Sequence, residues 1–172
     1  MGAILSEESA MQNRENIERR LNLEPIIIKA MDTDEGLGWD FDLACRVAAE
    51  YRRFLILCLE NPEAAVVPSN MVDDFWHLHI LDTQKYAADC AEYLGFFLHH
   101  FPYFGMRGEK DAQNLADSWA RTKEIYATAF GETPPADLWP HANRCPRCGR
   151  RTNNDIATAT RPSLADYQLR VQ

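Results

Sequence analysis

The sequence predicts an all-α fold, a helical bundle carrying a C-terminal metal-knuckle tail. Three observations carry that reading. Apolar residues recur at spacings of three and four along most of the chain, the pattern of amphipathic helices. β-Branched runs are scarce: Ile26-Ile27-Ile28 follows Pro25 and suits a helix start as well as a strand. Finally, Asn61-Pro62, Gly95, Phe101-Pro102 and Gly131 interrupt the pattern where helices should stop.

The spacing predicts a first clear helix over 41–60, with Leu43, Val47, Tyr51, Phe54, Leu55 and Cys58 inward and Arg46, Glu50, Arg52 and Arg53 between them. Ser69, after Pro68, is a suitable N-cap for a helix over 70–81, whose early turns hold Asp73 and Asp74 where negative charge suits the helix dipole. Asp82-Thr83 opens a segment over 83–94, with Tyr86, Cys90 and Leu94 on one face and Gly95 closing it. Phe96 to His100 reads as a short helical piece. The last helix, 110–130, turns Leu115, Trp119, Tyr126 and Phe130 inward. Thr133-Pro134-Pro135 marks a change of composition. The expected division is therefore a helical domain with an N-terminal arm over 1–131 and a tail over 132–172.

A chain of 172 residues can bury one ordinary core. Its net charge of −8 argues against the basic stripe of a nucleic-acid binder. Arg144, Arg147, Arg150 and Arg151 form one local basic patch, read as a solvated loop around the knuckle. No apolar run approaches the roughly 20 residues that span a bilayer, and the first residues lack a signal-peptide pattern, so the expected location is cytoplasmic. Gly2, in Met1-Gly2-Ala3-Ile4-Leu5-Ser6, does match the myristoylation pattern. Of five cysteines, Cys45, Cys58 and Cys90 sit in apolar helical contexts as small core residues, and Cys145 and Cys148 alone are spaced as a pair. That usage suits a reduced compartment and a metal better than a disulfide framework.

The chemistry concentrates in two places. In the first, four of the five histidines fall within His77, His79, His99 and His100, in an otherwise apolar stretch. Buried imidazoles need partners for their ring nitrogens, and a transition metal is one such partner. At about 100° per residue, a helix puts His77 beside Asp73 and turns His79 about 200° away, among Val72, Phe75 and Trp76. The two histidines of Trp76-His77-Leu78-His79 therefore have different jobs. Asp73 and His77 have the spacing of a carboxylate that orients a metal-bound or basic imidazole; an Asp–His pair that merely stabilises the helix is the plain alternative. His79 is as readily a hydrogen-bonded core histidine as a ligand. His99 and His100 diverge by about 100°, so one of them points inward.

The second place is His141-Ala142-Asn143-Arg144-Cys145-Pro146-Arg147-Cys148-Gly149. A Cys-Pro-x-Cys-Gly turn lets two thiolates reach one ion, zinc being the usual one, with His141 as a third ligand. The fourth would come from Asp137, Asp155, the histidine-rich core, water or a second subunit.

Val72-Asp73-Asp74-Phe75-Trp76-His77-Leu78-His79-Ile80-Leu81, followed by Tyr86, Asp89-Cys90, Gly95 and Phe97-Leu98-His99-His100-Phe101-Pro102-Tyr103-Phe104-Gly105, resembles the glycine-rich domain-containing protein-like family, over roughly residues 40 to 130. The resemblance implies a helical domain with the Trp-His-x-His segment as its hallmark. It implies no reaction. The family includes short bacterial proteins and the N-terminal region of longer plant proteins, and the chain departs from the longer members in carrying Cys-Pro-Arg-Cys where they have a glycine-rich tail.

The sequence favours a zinc-binding helical module that recognises another protein. The alternative is a metal-dependent enzyme with a core site built from His77, His79, His99 and His100, in which His77 and Asp73 would be catalytic, with Asp73 as the orienting carboxylate, and a second metal would accompany the knuckle zinc. Neither reading calls for nucleic acid, and neither fixes an oligomeric state.

Overall fold

The computed structural model describes residues 7–140 and 160–164. Its elements are helices: α1 (Glu7–Arg19), α2 (Glu24–Met31), α3 (Phe41–Glu60), α4 (Asn70–Leu81), α5 (Thr83–Asp89) with a π-helical turn at Cys90–Leu94, and α6 (Glu109–Phe130). The fold is all-α, and among the described residues no helix is long and apolar enough to cross a membrane. The described residues fall into two compact units, one within Met1–Asn61 and Met71–Leu98 and the other within Pro62–Asn70 and His99–Gln172.

In the first unit α3 is the central element. Asp40 caps it by accepting a hydrogen bond from the Leu43 amide at 2.8 Å, and Asn61 ends it. Its inward stripe widens along the helix, so that every residue from Phe54 to Leu59 is buried. Glu50, expected between the apolar positions, is buried too, with Arg53 at 3.7 Å from its carboxylate. Ile26-Ile27-Ile28 lies within a helix, as Pro25 near the start of α2 permits, because the missing proline N–H falls where the helix makes no internal bond.

Helix α1 occupies the expected N-terminal arm. Its sequence is polar all round apart from a few positions, and Ile17, with no exposed surface, is its anchor. Arg14 ties it to the end of α3 through Glu60 at 2.9 Å. The helix expected over 83–94 changes character after Asp89: the backbone widens into a π turn, closed by Gly95, whose amide donates to the Cys90 carbonyl at 3.0 Å. Gly95 has φ 76°, a left-handed conformation that stops the helix. The stretch from Phe96 to His100 is consequently not helical, contrary to the expectation from its sequence.

The second unit is organised on α6. Leu115, Trp119 and Tyr126 are buried as predicted, and Phe130 is partly so. Leu138 and Trp139, beyond the Pro-Pro step, are also buried, with Trp139 stacked on Trp119 at 5.7 Å between ring centres. The Val67 amide donates to the Thr122 hydroxyl at 2.9 Å, which holds the segment before α4 in this unit. Ahead of α6, Asp111 accepts from the amides of Gly105 (2.7 Å) and Arg107 (3.3 Å) and pairs with the Arg107 guanidinium.

Candidate metal centre

Helix α4 holds both the candidate ligands and a buried histidine, and its two faces keep them apart. Asp73 is fully buried; His77, four residues on, is about half exposed, with Nε2 3.5 Å from the Asp73 carboxylate. This is the i, i+4 adjacency that helical geometry dictates. Asp74 points to solvent.

One atom each of Asp73, His77 and His100 lie within 4.8 Å of one another, a group with the donor types and closeness to hold a metal ion. His100 is partly buried and its neighbour His99 is exposed. A fully buried carboxylate is costly unless it faces positive charge. Two imidazoles and a carboxylate are donor types that a divalent first-row ion accepts, and among the described residues the group numbers these three.

His79 is elsewhere. It is 1 % exposed, with Nδ1 2.9 Å from the Tyr51 hydroxyl on α3 and Nε2 3.0 Å from Asp89 at the end of α5. Since an ionised carboxylate can only accept, Nε2 carries the proton, and Nδ1 accepts from Tyr51. Lys85 joins the same Asp89 oxygen at 2.7 Å. Burial lowers the His79 pKa against the raising effect of Asp89, and burial keeps the Tyr51 hydroxyl protonated.

Beside this chain runs a second. The Trp76 indole N–H donates to the Tyr86 hydroxyl at 2.9 Å, and that hydroxyl donates in turn to the Leu98 carbonyl. Cys90 is buried close by, its thiol pushed up by burial. Tyr51, Tyr86 and Asp89 were not among the site residues predicted. Their signal in the sequence was only the apolar stripe on which Tyr51 and Tyr86 lie, and a tyrosine on such a stripe reads as core.

Gly2, the Arg144–Arg151 patch and the whole knuckle of His141, Cys145 and Cys148 lie outside the described residues, as does Asp155.

Compared with known proteins, the chain matches the model of the UCP032817-like family over residues 13–124, a span that includes Asp73, His77 and His100. No curated protein and no solved structure matches it.

Proposed function

Since the chain belongs to the UCP032817-like family, whose name specifies no chemistry, we propose a function from the site alone: the protein binds a divalent metal ion, zinc by preference, through Asp73, His77 and His100. The observation that carries this is the mutual approach of those three donors to within 4.8 Å. Asp73 then acts as a ligand as well as the group that orients His77. Kinship with the glycine-rich domain-containing protein-like family, through Trp76-His77-Leu78-His79 and the residues after it, is part of the same proposal.

The three donors found among the described residues favour the enzyme reading over a closed structural site, because an open position can take water or a substrate atom. A metal bound there would supply Lewis acidity and lower the pKa of a coordinated water. The alternative is a protein-interaction module in which the ion is structural. Ile28, Phe41, Leu81 and Phe97, all large and exposed, favour that second reading. A second zinc at Cys145 and Cys148, with His141, belongs to the proposal on sequence grounds. A reducing, cytoplasmic setting goes with it, on the cysteine usage of the sequence.

Elemental analysis of the purified chain tests the reading. The wild type should carry one equivalent more metal than a His77→Ala/His100→Ala variant, and Cys145→Ser/Cys148→Ser should remove a different equivalent. Full metal content in the double histidine variant would sink the core site. Small anions such as azide separate the two function classes: at an open position they change the visible spectrum of the Co2+-loaded protein, and at a closed one they do not.

A further inference from the structure

His100 stands in a non-helical stretch that continues through Phe101 to the start of α6 at Glu109, all of it in the second compact unit. A ligand on such a stretch binds an ion well only if its backbone is ordered before the ion arrives, because otherwise the entropy of ordering is lost at the moment of binding. The contacts that order this stretch meet at Arg107.

The Arg107 guanidinium makes a two-point ion pair with Asp111 in the first turn of α6, Nη2 lying 2.5 Å from Oδ1 and Nε 3.2 Å from Oδ2. Held there, it lies over the ring of Phe101, 5.2 Å from its centre. Phe101 is 1 % exposed and is the residue next to His100. Asp111 also accepts from the Gly105 amide at 2.7 Å, and Gly105, at φ 89°, backs onto α6 so closely that a Cβ there would lie 2.5 Å from Leu115 Cδ2. The stretch is thus fastened to α6 at residues 105 and 107, and Arg107 carries that anchorage back to the neighbour of His100.

Resting on the metal reading above, we propose that Arg107 is a positioning residue for the metal centre: by bridging Asp111 and Phe101 it keeps the backbone at His100 ordered before an ion binds. Arg107 is not one of the three donors, and its effect passes through Phe101 and the peptide bond to His100. Lys123 serves as an internal contrast. Its ammonium lies 5.1 Å from the ring centre of Trp119, a similar contact in the same unit, but on a ring of α6 and not on the stretch that carries His100.

The test uses the full chain in the Cys145→Ser/Cys148→Ser background, so that the knuckle takes no part, and combines amide hydrogen exchange of the metal-free protein with a Co2+ titration. Arg107→Ala should quicken exchange at residues 99–101 and weaken Co2+ binding, each by about two- to fivefold, the factor that one cation–ring contact is worth. Exchange from Trp119 to Tyr126 should stay at the parent rate, and the visible spectrum of bound Co2+ should keep its shape, because the donors are the same once the ion is in place. Lys123→Ala should leave exchange at 99–101, affinity and spectrum at parent values. If Arg107→Ala does not keep its helical circular dichroism, Arg107→Lys takes its place with the same expectation, since an ammonium keeps the charge beside Asp111 but lacks the planar fork that pairs and stacks at once. Unchanged exchange at 99–101 would overturn the tie itself. Faster exchange with parent affinity would overturn the positioning role and leave the metal reading intact, and so would a changed spectrum, which would mean an effect on the bound geometry and not on order before binding. If the parent takes up no Co2+, the metal reading fails and the positioning role with it.

Discussion

At the scale of single residues, the segment Trp76-His77-Leu78-His79 divides its work by helical geometry. A step of two residues on a helix turns a side chain about 200°, so His77 stays with Asp73 while His79 enters the core. That separation was legible in the sequence. What was not legible was what His79 would meet, since Tyr51 lies 28 residues earlier and Asp89 ten later, and no local pattern links them. Both ring nitrogens of His79 are engaged, and this makes Tyr51 energetically exposed to substitution. Tyr51→Phe leaves Nδ1 buried without its donor, which costs roughly 1–3 kcal/mol. Urea denaturation at neutral pH should show a loss of that size with an unchanged m-value; a variant as stable as the wild type would mean that water or another donor reaches the ring.

At the scale of elements, periodicity found the helices that bury a stripe and passed over those that do not. Helices α3, α4 and α6 were expected at nearly their observed bounds, because their apolar positions recur at helical spacing and because Asn61 and Gly131 mark where α3 and α6 end. Helix α1 has no such stripe, being held by Ile17 and by ion pairs such as Arg14–Glu60, and a polar helix resembles a polar arm in sequence. The approach to α6 depends on a single carboxylate. Burial alone would raise the Asp111 pKa, but hydrogen bonds from Arg107 and from the Gly105 and Arg107 amides more than offset it and hold the carboxyl below its ordinary value. A carboxyl depressed on folding contributes stability that is fully present above its unfolded pKa of about 3.9 and is lost as pH falls through the folded value. Asp111→Asn should therefore destabilise the protein at pH 7, by roughly 1–3 kcal/mol, and its stability should fall less steeply than the wild type's between pH 4 and pH 2. Parallel pH profiles for the two proteins would show that Asp111 has no such linkage.

At the scale of the whole molecule, the fold class followed from composition and periodicity, and a site near the histidines followed from their clustering. Which histidines come together did not, because His100 lies 23 residues beyond His77 in a stretch whose backbone departs from the helix expected there. The metal binding proposed for the three-donor group would make one global property conditional on the ion. An ion that binds the folded chain and not the unfolded one stabilises it by about 2.7 kcal/mol when its free concentration is a hundred times the dissociation constant. For a domain of 150–250 residues each kcal/mol moves the midpoint by about 2–4 °C, so saturating Zn2+ should raise Tm by about 5–10 °C over the chelated protein. The Cys145→Ser/Cys148→Ser background removes any contribution of the knuckle, and there the rise should persist. Adding His77→Ala to that background should abolish it, because an ion left with Asp73 and His100 has lost one of its two imidazoles. Scanning calorimetry with and without chelator on those two variants measures the difference, and an equal metal-induced rise in both would show that His77 is no ligand.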